Sequence, residues 1–367
     1  MSDSEVKILQ VISLFRHGKR NSFMNFETNQ EYSMDLCEDS ISKTINKGKK
    51  FIDKYFKKFS TSPFNPKDFK CYISDSIRTI KSLIYRLIDF VPQSDFKSMN
   101  QNQLKEYTIK NIPNTIYDDK IFKSYEYCDL VSSKYCHMDP NYKSLFDEIE
   151  TEISKKSKKA LELYKKYLEH NIFKGKTYEY YKICFICDFL FYITPEVQKN
   201  FNEEQLIIKD VMGKLNANKR MIELNNANKN SNLCFSHQLI CNYYQEMDEI
   251  RKNSEKQKKI ILYSAHDLYL NSLLNFLEIE DKSKFQYYFD DEINFIIFKK
   301  DIDEKLYLKV EYNDDLLDIP FSTLENKKEC ELDTLMEKIQ KEYLIHNFEE
   351  IMDLCYLKTT KEFYPSE

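Results

Sequence analysis

KILQVISLFRHGKR, residues 7–20, runs from nine mostly apolar residues straight into charge, with a glycine in the middle of the charged part. The apolar half is rich in β-branched residues and free of turn formers, the pattern of a strand buried on both faces. Two later stretches repeat it, FKCYISD at 69–75 and KKIILYSA at 258–265. Behind the first of these, Ile77, Ile80, Leu83, Ile84, Leu87 and Ile88 recur at helical spacing; behind the other, Leu270, Leu273, Leu274 and Leu277 do. Strand–turn–helix units of this kind predict an α/β fold, a mainly parallel, doubly wound sheet flanked by helices. Late in the chain INFIIFKK (293–300) and KLYLKVEY (305–312) enclose the polar DIDE, which predicts an antiparallel hairpin added to that sheet.

Between residues 92 and 230 the strand signals give way to polar helical patterns. The run from Asn141 to Asn171 reads as a helix with Leu145, Ile149, Ile153, Leu161, Tyr164 and Leu168 on one face. The Asn- and Lys-rich stretch 214–232 reads as a loop returning to the core. The predicted organisation is therefore an α/β core, residues 1–91 and 231–367, interrupted by an all-helical cap, residues 92–230.

Composition narrows the class. Hydrophobic residues are 42% and charged residues 31%, ordinary for a soluble globular protein. The formal net charge of −5, from 55 basic and 60 acidic side chains, gives no footprint for nucleic acid. The most apolar stretch, residues 180–195, is broken by Lys182 and Asp188 and is too short to span a bilayer. MSDSEVK lacks the apolar core of a secretion signal. No Asn-x-Ser/Thr acceptor occurs in a chain rich in all three residues. Both features predict a cytoplasmic protein whose ten cysteines stay reduced. Cys184 and Cys187 form a lone CxxC inside an apolar run, and Cys136 beside His137 has no further partner; both read as ordinary thiols, and no metal site is predicted.

Charge is concentrated where the strands end. Arg16, His17, Gly18, Lys19 and Arg20 follow the first strand, Asp75, Ser76, Ile77 and Arg78 the second, His266 and Asp267 the third. In a doubly wound sheet, ligands bind at the carboxyl ends of the strands. Parallel neighbours would bring three arginines, two histidines and a carboxylate into one pocket. Arg78 falls in the first turn of its helix, where the helix dipole disfavours a cation, and a bound anion would reverse that penalty. Taken singly, each element has a plainer reading: a surface arginine, a satisfied histidine, or an Asp267 that only caps a helix. Their coincidence at three strand ends favours a site.

RHGKR, SDSIRT and YSAHD together resemble the motifs of the histidine acid phosphatases, the second branch of the histidine phosphatase superfamily, and YSAHD is nearest the lysosomal and prostatic type. INFIIFKK followed by LYLKVEYNDDLLDIPF resembles that family's closing hairpin, so the resemblance spans almost the whole chain. It implies an α/β core with an inserted helical cap that selects the substrate, and a phosphomonoester hydrolase without a cofactor. It makes His17 the nucleophile that becomes a phosphohistidine. Arg16, Arg20, Arg78 and His266 hold the phosphate oxygens, and Asp267 is the general acid. An aspartic acid that must carry a proton when substrate binds predicts activity that falls above mildly acidic pH. The implied substrate is a phosphorylated small molecule, an inositol phosphate or a phospholipid head group.

Two departures stand out: Ser22 replaces the proline usual after RHGxR, and Lys19 adds a cation between the arginines. A catalytically silent module that binds phosphorylated ligands is the rival reading, which does not need Asp267. A phosphomutase is a second rival, disfavoured by the long cap.

Overall fold

The structure, a computed structural model, describes residues 6–20, 24–25, 30–31, 35–56, 69–122, 140–168, 199–215, 229–252, 259–279, 288–300 and 305–345, with isolated positions at 59, 303 and 350. Cys184, Cys187, Cys136 and His137 lie outside the described residues, as does Ser22. The chain divides into two compact units. The first comprises Met1–Arg20, Asp35–Ser124 and Phe235–Glu350, the second Asn21–Met34, Tyr125–Cys234 and Ile351–Glu367.

The first unit is built on an eight-stranded sheet. In chain order its strands are β1 (Val6–Arg16), β4 (Phe69–Ile73), β5 (Thr115–Ile116), β6 (Ile260–Ala265), β7 (Glu292–Lys300), β8 (Leu306–Tyr312), β9 (Asp315–Leu316) and β10 (Cys330–Glu331). Their spatial order is β10-β8-β7-β1-β6-β4-β5, with β9 on β8. β1 pairs in parallel with β6, β6 with β4, and β4 with β5. On the other side of β1, β7 runs antiparallel, β8 antiparallel to β7, and β9 and β10 antiparallel to β8. The sheet is thus mixed, with a parallel core. The hairpin read from 293–312 extends that core outward from β1 in antiparallel pairs.

β1 lies between the two halves and is buried from Gln10 to its end: Val11, Ile12, Leu14 and Phe15 expose no surface. Removing such apolar side chains from water stabilises by roughly 1.5–3 kcal/mol each. This explains why an unbroken apolar run, rather than an alternating one, marks it in the sequence.

Helices α1 (Glu38–Phe51), α2 (Ile77–Arg86), α3 (Gln101–Asn111), α7 (Lys229–Lys252, from Phe235 onward), α8 (Asp267–Phe276) and α9 (Leu332–Glu342) belong to this unit. α1 follows the dipole rule, with Glu38 and Asp39 in its first turn and Lys49 and Lys50 in its last. α2 packs Ile80, Leu83 and Ile84 into the core and carries no acid in its first turn. The sheet unit runs on to Ser124 instead of ending near residue 91, because α3 and the two-residue β5 add to its edge. A strand that short leaves no apolar run to read.

In the second unit the expected single helix from Asn141 is two, α4 (Pro140–Lys156) and α5 (Lys158–Leu168). Ser157 separates them and caps the latter, its Oγ accepting from the Ala160 N–H at 3.1 Å. α6 (Glu203–Lys214) opens on a reciprocal capping box between Asn202 and Gln205, both bonds 2.9 Å long. Leu145, Ile149, Ile153, Tyr164, Ile208 and Met212 form the unit's buried core. Short strands β2 (Met24–Asn25) and β3 (Gln30–Glu31) pair antiparallel within the unit. Residues 229–232, read as loop, form the first turn of α7. No helix among the described residues is long and apolar enough to cross a membrane.

Candidate active site

The parallel core fixes the site. β1, β6 and β4 lie side by side in register, Arg16 opposite Ala265 and Ile73 opposite Ser264. The residues that follow each strand therefore emerge at one edge. His17 continues the ladder for one more step, its N–H donating to Ala265 O at 3.1 Å. All six candidates lie in the sheet unit.

His17 is 3% exposed. Its Nδ1 is 2.7 Å from the carbonyl oxygen of Gly18, a contact in which the nitrogen must donate. Nε2 accepts from Nε of Arg78 at 3.1 Å. The ring is thus the neutral Nδ1–H tautomer, with the Nε2 lone pair turned toward a guanidinium. Burial pushes His17 well below the ordinary histidine range. The charge of Arg78, the neighbouring His266 and Arg16 push the same way, and the bond to Gly18 O opposes them. A histidine so placed stays unprotonated, which a nucleophile requires.

The His266 ring stands edge-on to His17, centroids 5.3 Å apart. Ser74 Oγ meets its Nε2 at 3.0 Å and fixes the rotation of the ring. Burial depresses this histidine as well, with Arg78, Arg16 and Arg20 adding to the effect. Arg20 thus acts on the same centre. Its backbone bridges to Leu36, which ties the end of the RHGKR loop to the start of α1. Arg16 is buried and pairs with Asp267, Nη2 to Oδ2 3.0 Å, while Asp267 keeps 42% of its side chain exposed. His266 is the N-cap of α8, and Asp267 is its first residue, its Oδ1 accepting from the Leu268 N–H at 3.0 Å.

Several contributors were not evident in the sequence. Gly18 N–H donates to Ser82 Oγ at 2.9 Å, and Ser82 in turn donates to Arg78 O at 2.7 Å. A Cβ on Gly18 would sit 2.5 Å from Thr44 Oγ1, so that position has no room for a side chain. Thr44 itself donates to Asp290, 2.9 Å from Oδ1 and 3.1 Å from Oδ2. The peptide N–H of Asp290 reaches His17 O at 3.3 Å, and Asp291 O accepts from Arg16 N–H at 2.8 Å. Phe289 lies over the Arg16 guanidinium, 4.1 Å from Cζ to ring centre. The sequence trace of this backing is FDDE (289–292), whose three acids lead into β7, Glu292 being its first residue, yet are all buried. Among the described residues no set of three His, Cys, Asp or Glu side chains is arranged to hold a metal ion.

Three arginines, two neutral histidines and one carboxylate make a compact electropositive cage. Such a cage suits a tetrahedral oxyanion, with a buried imidazole lone pair on one side and a part-exposed carboxylate on another.

No protein-family model matches the chain, and no curated protein matches it in sequence. Solved structures do match. A multiple inositol polyphosphate phosphatase from Bifidobacterium longum matches with a TM-score of 0.58 at 10% identity, over 93% of this chain and 92% of that one. The phytase from Citrobacter braakii gives 0.55 at 14% identity, over 91% and 98%. Hafnia alvei phytase, solved with myo-inositol hexakis sulphate, gives 0.54 at 12%, over 96% and 99%. The chain has the α/β fold of these phosphatases, the fold of the histidine acid phosphatase type.

Proposed function

We propose that the protein is a phosphomonoester hydrolase that works through a phosphohistidine on His17. The observation that carries this reading is the state of that ring: neutral, buried, its Nδ1–H held by Gly18 O and its Nε2 lone pair facing Arg78.

In the proposed cycle a phosphate monoester enters the cage, and Arg16, Arg20, Arg78 and His266 hold its non-bridging oxygens. The phosphate competes with Asp267 for Arg16 and draws Arg78 from His17. The Nε2 lone pair attacks phosphorus in line while the ester P–O bond breaks. The leaving oxygen takes its proton from Asp267. Water then attacks the phosphohistidine, gives a proton to the Asp267 carboxylate, and the P–N bond breaks to restore neutral His17. The fixed arginines stabilise the charge on the three equatorial oxygens through both steps. Arginine serves better than lysine here because its fork grips two oxygens at once.

For substrate, we favour a small phosphorylated molecule, with inositol phosphates first. The likeness in fold to a phosphatase of inositol polyphosphates supports that choice. Phospholipid head groups carry the same chemistry. The second unit would select among these substrates. We place the protein in the cytoplasm, on the absence of glycosylation acceptors.

The test is capture of the intermediate. Radiolabelled aryl phosphate is mixed with the protein at mildly acidic pH and quenched in alkali. Wild type should retain label that is stable to alkali and lost in acid, His17→Ala should retain none, and Asp267→Asn should turn over slowly. No label and no phosphate release from any ester would leave the silent phospho-ligand-binding reading in its place.

A further inference from the structure

We propose that Phe289 is a positioning residue for Arg16, an aromatic backing that fixes the plane of the guanidinium so that it meets the phosphoryl group in its transition-state geometry. This rests on the phosphatase reading for its kinetics but not for the contact itself.

The turn that carries Phe289 is fastened to the end of β1 by main-chain bonds. Asp291 O accepts from Arg16 N–H at 2.8 Å, and Asp290 N–H donates to His17 O at 3.3 Å. Asp290 holds φ at 63°, and its carbonyl accepts from Arg86 Nη2 at 3.0 Å. The backbone on either side of Arg16 and His17 thus sets where the Phe289 ring goes. The ring lies 4.1 Å from Arg16 Cζ and 5.9 Å from the centre of the His17 ring. It touches the cation and the nucleophile together.

A guanidinium donates only in its own plane, through a rigid fork. Rotation about its long side chain is what misplaces that fork. In Arg16 the side chain is only 6% exposed, and Asp267 Oδ2 fixes one point of the plane through Nη2. The flat face of Phe289 acts on the tilt of that plane, because a cation over an aromatic ring is held by the ring's negative face and the hold strengthens out of water. Arg86 shows the same device in the core, 4.0 Å over Phe15, where Glu292 and Asp290 O complete its fixing. In Arg16 the device is placed one residue from the nucleophile.

If Phe289 acts through the tilt of Arg16, its loss should weaken interaction with a five-coordinate anion more than with a tetrahedral one. The experiment compares wild type, Phe289→Leu and Phe289→Tyr. Leucine keeps apolar bulk and loses the aromatic face; tyrosine keeps the face. Calorimetry gives the affinities for orthovanadate and inorganic phosphate, which are measurable whether or not the protein turns over, and kcat is measured on an aryl phosphate. The expected result is that Phe289→Leu loses about tenfold to thirtyfold in kcat and in vanadate affinity. Phosphate affinity should change less than threefold, Tm should stay within a few degrees, and Phe289→Tyr should recover both losses. On an Arg16→Lys background, which lacks the planar fork, Phe289→Leu should add little.

Equal losses for both anions, losses that tyrosine does not recover, or full additivity with Arg16→Lys would overturn the proposal and leave Phe289 as packing. A wild type that binds both anions and shows the leucine effect on vanadate, yet hydrolyses nothing, would overturn the phosphatase reading and keep this one. A wild type that binds neither anion would overturn both.

Discussion

Arg78 Nε donates to His17 Nε2 across 3.1 Å, so a cation beside the imidazole is hydrogen-bonded to the very lone pair that would attack phosphorus. The bond forms only while Nε2 is unprotonated. Burial is the largest cause of His17's depressed pKa and the Arg78 charge is the next. A base whose pKa is depressed holds its lone pair into acid, where an ordinary histidine, near 6.5, would be protonated.

The acid limb of kcat/KM should accordingly lie well below the ordinary histidine range in the wild type. Arg78→Gln removes a charge that lowers the pKa, so His17 should take its proton at higher pH and the limb should move up. The same variant loses a ligand of the phosphate, which should lower kcat by about a hundredfold to a thousandfold. Rate profiles of the two proteins from pH 3 to 8 would check this. An acid limb at the same pH in both would show that Arg78 does not set the state of His17.

Gly18 is the second sensitive point. An added Cβ would meet Thr44 Oγ1 at 2.5 Å, with Ser40 Oγ and Asp290 Oδ2 each at 3.4 Å. Gly18→Ala must push back α1 or shift the loop whose carbonyl holds His17 Nδ1. Overpacking of this kind costs about 1–3 kcal/mol. The expected outcome is a lower Tm together with a kcat reduced by tenfold or more. Thr44→Ala should restore part of the Tm when combined with Gly18→Ala, although alone it destabilises by leaving Asp290 without its donor. Strict additivity of the two changes would refute the contact.

Which parts of this were readable in advance follows from where the information sits. β1, β4 and β6 are continuous apolar runs because both their faces are covered, and the polar residues behind them fall at one edge once the strands are parallel. Hence Arg16, His17, Arg78, His266 and Asp267 could be grouped from the sequence. Thr44, Ser82, Phe289 and Asp290 could not, because each is a common residue whose role depends on long-range packing; Thr44 and Asp290 stand 246 positions apart. β5, with two residues, and the break at Ser157 were hidden for the opposite reason: a single pairing or a single cap decides them, and neither leaves a periodic trace.

Asp290 offers a prediction about stability. Burial raises its pKa, and although Arg86, Thr44 and Lys47 pull it down while Glu292 pushes it up, burial wins. A carboxyl with a raised folded-state pKa holds its proton more tightly in the native than in the unfolded chain. As pH rises from below the unfolded value through the folded one, the native state loses stability relative to the unfolded state. Asp290→Asn keeps an acceptor for Thr44, tolerates the positive φ and does not titrate. Relative to wild type it should therefore gain stability between about pH 4 and neutrality. Denaturant unfolding of both proteins across that range measures the difference, and a difference independent of pH would contradict the assignment.

The last prediction concerns Arg86 and Glu292, a buried ion pair whose side chains are 4% and 6% exposed. Removing one partner strands the other charge, which costs about 3–5 kcal/mol, whereas replacing both with apolar residues often costs little. Arg86→Met and Glu292→Gln should each lower Tm by several degrees, and Arg86→Met with Glu292→Leu should lower it less than Arg86→Met alone. Activity should not follow stability. Arg86 Nη2 also holds Asp290 O, and Asp290 N–H holds His17 O, so any variant without Arg86 frees the turn behind His17. The double variant should thus regain Tm but not kcat, while Glu292→Gln should lose Tm and keep most of its kcat. If kcat instead tracks Tm through all three variants, the link from Arg86 through Asp290 to His17 is only packing, and the buried pair serves the fold alone.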